Sequence, residues 1–453
     1  MTSSNFPKRI GLLNDYVSVP YANGSSFASQ FLYRELTRAG SAVTVVGPAD
    51  PAATSQDLPE RHLLLDALPL RSAPGVYLSM PTPAGLNRVE AAGFDLCLAQ
   101  TSNALMDVGV WLRQRHRVPL VMVNTLHLAS AYATLLPDFL DERPAVHELF
   151  KRRIVPFAER QTVDAYNRGD GLVVLSSGLR RYWRERGVRV PIHVIPRAID
   201  ESVFRDASKE ADPFQRLGVP NGQRLLVVCR HVREKSLDRL LRIFALEVAP
   251  MAPNATLTLV GDGPEREALE GIVEALGVAD RVFFAGEQPL GEIARWYGHA
   301  QVFVYTSLSE TYGQVISEAM WCGLPVVAFA DGKGVSDQLV LGGGELLLPD
   351  RLDADAAFGA AALRLLGDPA RRRKIAAQAR RSAATRAGKE RVLARYAEVF
   401  ASAREHCAGA PAASDDPGVL GRWAGVHAVA YALGLLRPAA AAEAPKRRPW
   451  RAA

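Results

Sequence analysis

Residues 302–330 read VFVYTSLSETYGQVISEAMWCGLPVVAFA, and the alternation inside this stretch decides the fold. VFVYT (302–306) is a short, uninterrupted apolar run, the pattern of a strand covered on both faces of a sheet. A polar loop, Ser307–Thr311, follows. A helix then begins near Tyr312 or Gly313, with Val315, Ala319 and Cys322 forming a core stripe and Glu318 left off it. PVVAFA (325–330) is a second apolar run. Strand, helix and strand in that order is the unit from which parallel sheets are built.

The same unit recurs in both directions along the chain. IGLL (10–13), AVTVVG (42–47), DLCLA (95–99), PLVMVN (119–124), GLVVLS (171–176) and PIHVIP (191–196) form one series. RLLVVC (224–229), TLTLVG (256–261), VFFAG (282–286), VFVYT, PVVAFA and ELLLP (345–349) form another. Helical patterns separate many of them: 27–39, 105–115, 236–249, 265–276, 291–299 and 314–322. The fold class is therefore α/β, with two doubly wound, Rossmann-like domains facing across a cleft. The break falls in the turn-rich IPRAIDESVF (195–204), giving an N-terminal domain over 1–197 and a C-terminal domain over 198–390. Residues 391–407 complete a closing helical region and are expected to pack back on the N-terminal domain. The Ala- and Pro-rich tail 408–453 fits either a disordered extension or an interfacial membrane helix.

Bulk properties bound the function. At 453 residues the chain is long enough for two or three domains at about 150 residues each. With 48% hydrophobic and 23% charged residues, its composition is that of a globular protein. Four scattered cysteines, with no C-x-x-C pair, argue against a disulfide framework or a zinc site and fit a reducing compartment. No clean run of about 20 apolar residues, the length that spans a bilayer, is seen in the sequence, and MTSSNFPKRIGLLND reaches an acidic residue too soon for a signal peptide. A cytoplasmic protein is expected, held if at all on the inner face of a membrane.

The net charge of +6 is concentrated. Between Lys151 and Val190 ten basic residues oppose four acidic ones, which accounts for the whole excess. Such a strip faces anionic lipid or only water. Nucleic acid is not expected, because the strip's aromatics, Phe157, Tyr166, Tyr182 and Trp183, are too few and poorly spaced for stacking and no signature motif accompanies them.

In open α/β sheets ligands lie beyond the carboxyl ends of strands, so the site is sought just after the apolar runs. After VFVYT, the free N–H groups around Gly313, Gln314 and Val315 open a helix, a ready-made phosphate site beside Tyr312. Glu310 and Glu318 flank that site. Carboxylates repel phosphate but accept hydrogen bonds from hydroxyls, so Glu318 suits a ribose and Glu310 a sugar. After RLLVVC come Arg230 and Lys235, the second placed before a helix capped by Ser236. Two cations at a strand end suit a leaving diphosphate. TLVGDGPEREALE (258–270) lacks the third glycine of a dinucleotide fingerprint and is taken as a tight turn, with Pro264 opening its helix. The segment Phe284–Glu287, including Gly286, is placed to meet a base through its backbone. In the first domain Gly24 lies in a loop whose Ser25 or Ser26 caps the next helix, and His127 follows PLVMVN at a strand end.

This ordered set resembles the retaining nucleotide-sugar glycosyltransferases of family 4, with their two-domain GT-B fold. The likeness covers roughly residues 8–406 and is strongest from Arg230 to Glu345. It implies that Arg230 and Lys235 hold the diphosphate, Glu318 the ribose and Glu310 the transferred sugar, with His127 beside the sugar and the loop at Gly24 near the phosphate. It further implies catalysis that retains the anomeric configuration and needs no metal or other cofactor. The donor it implies is a UDP- or GDP-sugar such as UDP-glucose. The acceptor it implies is a lipid or a glycan, and the N-terminal loop, PGVYLSMP (74–81) and the basic strip look most like members that glycosylate diacylglycerol. A soluble glycan acceptor, or a nucleotide-sugar-binding protein without turnover, are the alternatives. The sequence departs from the family at Asn23-Gly24-Ser25, where many relatives have paired glycines, at IPRAID, and in the tail after 407.

Overall fold

The computed structural model describes residues 6–410 apart from 16, 18–23, 52, 56, 70–76, 81, 101–103, 126–147, 149–151, 154 and 341. The chain divides into two compact units. The first takes Met1–Leu175, Arg180–Ile195 and Leu393–Ala453, and the second Ser176–Leu179 and Pro196–Val392.

The first unit is built on a seven-stranded parallel sheet of β1 (Arg9–Leu13), β2 (Ala42–Pro48), β3 (His62–Leu65), β6 (Leu96–Ala99), β7 (Leu120–Val123), β8 (Gly171–Val174) and β9 (Ile192–Val194), in the order 3-2-1-6-7-8-9. An antiparallel pair, β4 (Ala67–Pro69) with β5 (Tyr77–Ser79), stands apart from it. The central strands β6, β7 and β8 are wholly buried, which is why their sequences run apolar without alternation. Residues of the helix Lys389–Gly409 from Leu393 onward belong to this unit. Phe400 there meets Phe6 edge-on at 6.2 Å, and His406 Nδ1 lies 3.0 Å from the buried Asp170.

The second unit holds a six-stranded parallel sheet of β10 (Gln223–Val228), β11 (Ala255–Val260), β12 (Val282–Gly286), β13 (Val302–Tyr305), β14 (Val326–Phe329) and β15 (Gly344–Leu347), in the order 12-11-10-13-14-15. The order reverses between β10 and β13. At such a reversal the crossover helices leave on opposite faces and open a crevice at the strand ends. The loops after β10 and β13 are the ones that carry Arg230, Lys235 and Glu310.

All twelve apolar runs are strands, within a residue or two. Several local details differ from expectation. Ser236 does not cap a helix through its side chain; it takes a left-handed conformation (φ 52°) after a 3-10 turn, Arg233–Lys235, and the helix Leu237–Ile243 passes into a π-turn at Phe244–Val248. Pro264 sits in a turn, and its helix starts at Arg266. The first-domain helix begins at Gly24, which places Ser25 and Ser26 inside it rather than before it. Glu318 is buried, because Ile316, Ala319 and Met320 make the core face of Gln314–Trp321 and carry Glu318 inward with them. His127, Lys151 and the tail 411–453 lie outside the described residues.

Candidate active site

The site of the second unit grows from two loops tied together. Thr306 and Ser307, the first residues after β13, donate hydrogen bonds to the backbone carbonyls of the β10 loop: Thr306 Oγ1 to Lys235 O (3.1 Å) and Ser236 O (2.9 Å), and Ser307 Oγ to Glu234 O (3.1 Å). Two adjacent hydroxyl residues thereby fix the 3-10 turn that bears Lys235 against the loop that bears Glu310. The third side is the Gly261–Gly263 turn after β11. A Cβ at Gly261 would stand 1.9 Å from Cys229 O, and one at Gly263 2.4 Å from His231 O, so this turn packs directly on the backbone around Arg230.

Three donors converge on one oxygen of Glu310. Lys235 Nζ lies 2.5 Å from Oε1, Tyr305 Oη 2.7 Å and Ser307 Oγ 2.9 Å. Among the described residues Oε2 accepts no hydrogen bond. Burial pushes the carboxyl pKa up, but the Lys235 charge and these hydrogen bonds overcome it, and Glu310 titrates below the ordinary carboxylate range. Burial likewise opposes the charge on Lys235, and Glu310 more than restores it. Both partners are therefore ionised at neutral pH, with side chains only 17% and 13% exposed. Beneath them burial pushes the Cys229 thiol up to about 12, so it stays protonated.

Glu318 behaves oppositely. Its Oε2 accepts a hydrogen bond from Tyr297 Oη at 3.0 Å and the Gln314 side chain also favours the charged form, but among the described residues no salt bridge forms to it. Burial raises its pKa to about 7, against the hydrogen bonds and the weaker field of Arg197. Between the two glutamates the helix Gln314–Trp321 starts from Gly313 in the left-handed region (φ 75°), a conformation that favours glycine. The Gln338 side-chain amide holds this corner, donating to the carbonyls of Tyr312 and Gly313. A Cβ at Gly313 would lie 3.6 Å from Glu310 Cγ, so Glu310 stands beside the positive end of the helix.

The structure thus brings Lys235, Glu310, Gly313, Gln314 and Val315 to one corner and places Glu318 within the same helix. Tyr312 turns its hydroxyl into the core, 2.6 Å from Ser317 Oγ, and leaves only its backbone near the corner. Arg230 is exposed and, among the described residues, has no ion-pair partner. Gly286 ends β12 with φ 67°, and nearby Arg266 covers the Phe284 ring at 4.5 Å. Gly24 opens its helix in the first unit. Tyr297, Tyr305, Ser307 and Arg197 were not picked out from the sequence. Tyr305 and Ser307 were within reach, being the residues that bound the loop before Glu310; Tyr297 gives no local signal, since its partner is 21 positions away. Among the described residues no group of three or more His, Cys, Asp or Glu side chains is arranged to hold a metal ion.

Comparison with known proteins bears on both units. Residues 208–382 match the family model "Glycosyl transferases group 1", and residues 23–203 match "Glycosyltransferase Family 4". The chain is 30% identical to a D-inositol 3-phosphate glycosyltransferase of Thermomonospora curvata over 66% of its own length and 69% of the relative's. It is 25% identical to an alpha-monoglucosyldiacylglycerol synthase of Streptococcus pneumoniae, over 71% and 70% of the two chains. Among solved structures, Anabaena HepE in complex with UDP and glucose superposes with a TM-score of 0.66 at 21% identity, over 88% of this chain and all of that one, which shows the shared GT-B fold. The chain belongs to family 4 of the glycosyltransferases and is an enzyme that uses a nucleotide sugar.

Proposed function

We propose that the enzyme transfers a hexose, with retention of the anomeric configuration, from a UDP- or GDP-sugar to a hydroxyl of a membrane lipid such as diacylglycerol. The donor half rests on the Lys235–Glu310 corner at the sheet reversal. Arg230 and Lys235 neutralise the diphosphate, supplying the positive charge without a metal, and the helix start at Gly313–Val315 adds its dipole. Glu318 accepts from the ribose, and Glu310 offers Oε2 to sugar hydroxyls. In the transfer the bond from the anomeric carbon to the diphosphate oxygen breaks and the acceptor oxygen bonds to that carbon on the same face. The acceptor proton passes to the departing phosphate oxygen.

The lipid half is supported by the basic strip. On the helix Val155–Tyr166, Phe157 is 57% exposed, with Arg160, Arg152, Arg153, Arg180 and Arg181 also exposed in this part of the chain. The strip is partly neutralised within itself: Arg186 binds Glu159 at 2.9 Å and stacks on Tyr182, and Arg152 pairs with Glu148. The named activity of the S. pneumoniae relative favours a lipid; that of the T. curvata relative favours a soluble phosphorylated polyol.

One experiment separates the two readings. The protein is mixed with labelled nucleotide sugars, diacylglycerol in anionic vesicles, and inositol phosphate, and the label is partitioned between organic and aqueous phases. The lipid reading predicts label in the organic phase and co-sedimentation with the vesicles that is lost at high salt. Label confined to inositol phosphate, with no vesicle binding, contradicts it.

A further inference from the structure

Each of the two glutamates is held by a buried tyrosine. Tyr305, the last residue of β13, is 3% exposed and donates to Glu310 Oε1 at 2.7 Å. Tyr297, on the helix Leu290–His299, is 1% exposed and donates to Glu318 Oε2 at 3.0 Å. The two rings are joined through Phe303: Tyr297 meets it edge-on at 5.8 Å and Tyr305 stacks on it at 5.9 Å. A buried hydroxyl needs a partner, but a core threonine or a backbone carbonyl would serve as well. Here both hydroxyls are spent on carboxylates that flank one helix start.

We infer that Tyr305 and Tyr297 are positioning residues of the transfer reaction, each fixing one carboxylate oxygen so that the orientation of Glu310 toward the sugar and of Glu318 toward the ribose is set before the donor arrives. This rests on the donor-site reading given above. A carboxylate held at one oxygen by a rigid ring on a core strand or helix loses the rotation it would otherwise have to give up on binding. On Glu310 the division is explicit, because Lys235, Tyr305 and Ser307 all use Oε1. Since Glu310 serves the sugar and Glu318 the nucleoside, the two tyrosines should separate kinetically.

The test uses Tyr305→Phe and Tyr297→Phe, which keep the rings and remove only the hydroxyls. Tyr305→Phe is expected to lower kcat by about 10-fold or more, with the Kd for the free nucleoside diphosphate unchanged. Tyr297→Phe is expected to raise donor KM by about 10-fold with kcat at saturation nearly kept, and to move the acid limb of donor binding to higher pH. The second effect follows because the lost hydrogen bond stabilised the Glu318 carboxylate. The other titratable groups acting on Glu318 do not titrate there: Tyr312 and Cys322 are both pushed up to about 12. Ser307→Ala, at a buried position of the loop after β13, removes another donor from Glu310 Oε1 together with the tie to Glu234 O, and is expected to lower kcat in the same direction. Equal losses of kcat and affinity that track a fall in Tm, or wild-type kinetics and pH profile in the variants, would overturn the assignment. A wild-type protein that neither binds nor turns over any nucleotide sugar would overturn the donor-site reading itself and the tyrosine roles with it.

Discussion

Replacing Lys235 with alanine is expected to lower kcat/KM by about 10²–10³-fold, the usual cost of removing a group aimed at charge that develops in a transition state. The side chain also holds Glu310, so a second effect accompanies the first. With Lys235 gone, a carboxylate only 13% exposed is left without its cation, and stability at neutral pH falls by about 3–5 kcal/mol. The sign with pH follows from the Glu310 pKa, which lies below its ordinary value. Its contribution is present above about pH 4.5 and is lost as pH falls through the depressed folded value. The Tm deficit of Lys235→Ala should therefore shrink in acid. The double variant Lys235→Met/Glu310→Gln removes both charges; it should regain most of the lost Tm and remain inactive. Single-turnover rates and thermal melts from pH 4 to 8 check both halves, and a kcat/KM within a few-fold of wild type in Lys235→Ala would remove this lysine from the chemistry.

Glu318→Gln should produce a protein that is more stable and a poorer enzyme. Burial raises the carboxyl pKa to about 7 from an unfolded value near 4.5, so the native state keeps a proton that the unfolded chain has released. For an acid shifted upward, the stability contribution is complete below about pH 4.5, declines as pH rises through 7, and is constant above it. The difference corresponds to about 3 kcal/mol of strain in the ionised form. The glutamine variant should match wild type in acid and exceed it in Tm at pH 8. Donor binding should move the other way, because a ribose hydroxyl donates more strongly to a carboxylate than to an amide. Donor KM should rise about 10-fold or more. The wild-type KM should climb as pH falls below 7, and the variant's should stay flat. A variant no more stable at pH 8, with unchanged donor KM, would place Glu318 outside the ribose site.

Much of this was legible in the sequence because its signals are local. A strand buried on both faces must be apolar throughout, and VFVYT, TLTLVG and PVVAFA announce themselves in this way. Edge strands do not: in β3, His62 is exposed and only Leu65 is buried, and the short β4–β5 pair has no periodic pattern to read. Lys235 and Glu310 were readable as site candidates because each follows a strand end. Their direct ion pair was not, since it depends on how Thr306 and Ser307 draw together loops 75 residues apart in the chain. The burial of Glu318 was misread for a similar reason. Helical spacing gives the direction of a face but not which neighbours cover it. Here Tyr297 and Gln314 supply polar partners that let a carboxylate lie among core residues.

The most direct measurement is a thermal-shift series on the purified protein with UDP, GDP, UDP-glucose, UDP-galactose and GDP-mannose. A ligand at 100 times its Kd stabilises the protein by about 2.7 kcal/mol. The account predicts that one nucleotide family raises Tm and that the shift is strongly reduced in Glu318→Gln. A wild-type Tm unmoved by every member of the series at millimolar concentration would contradict it.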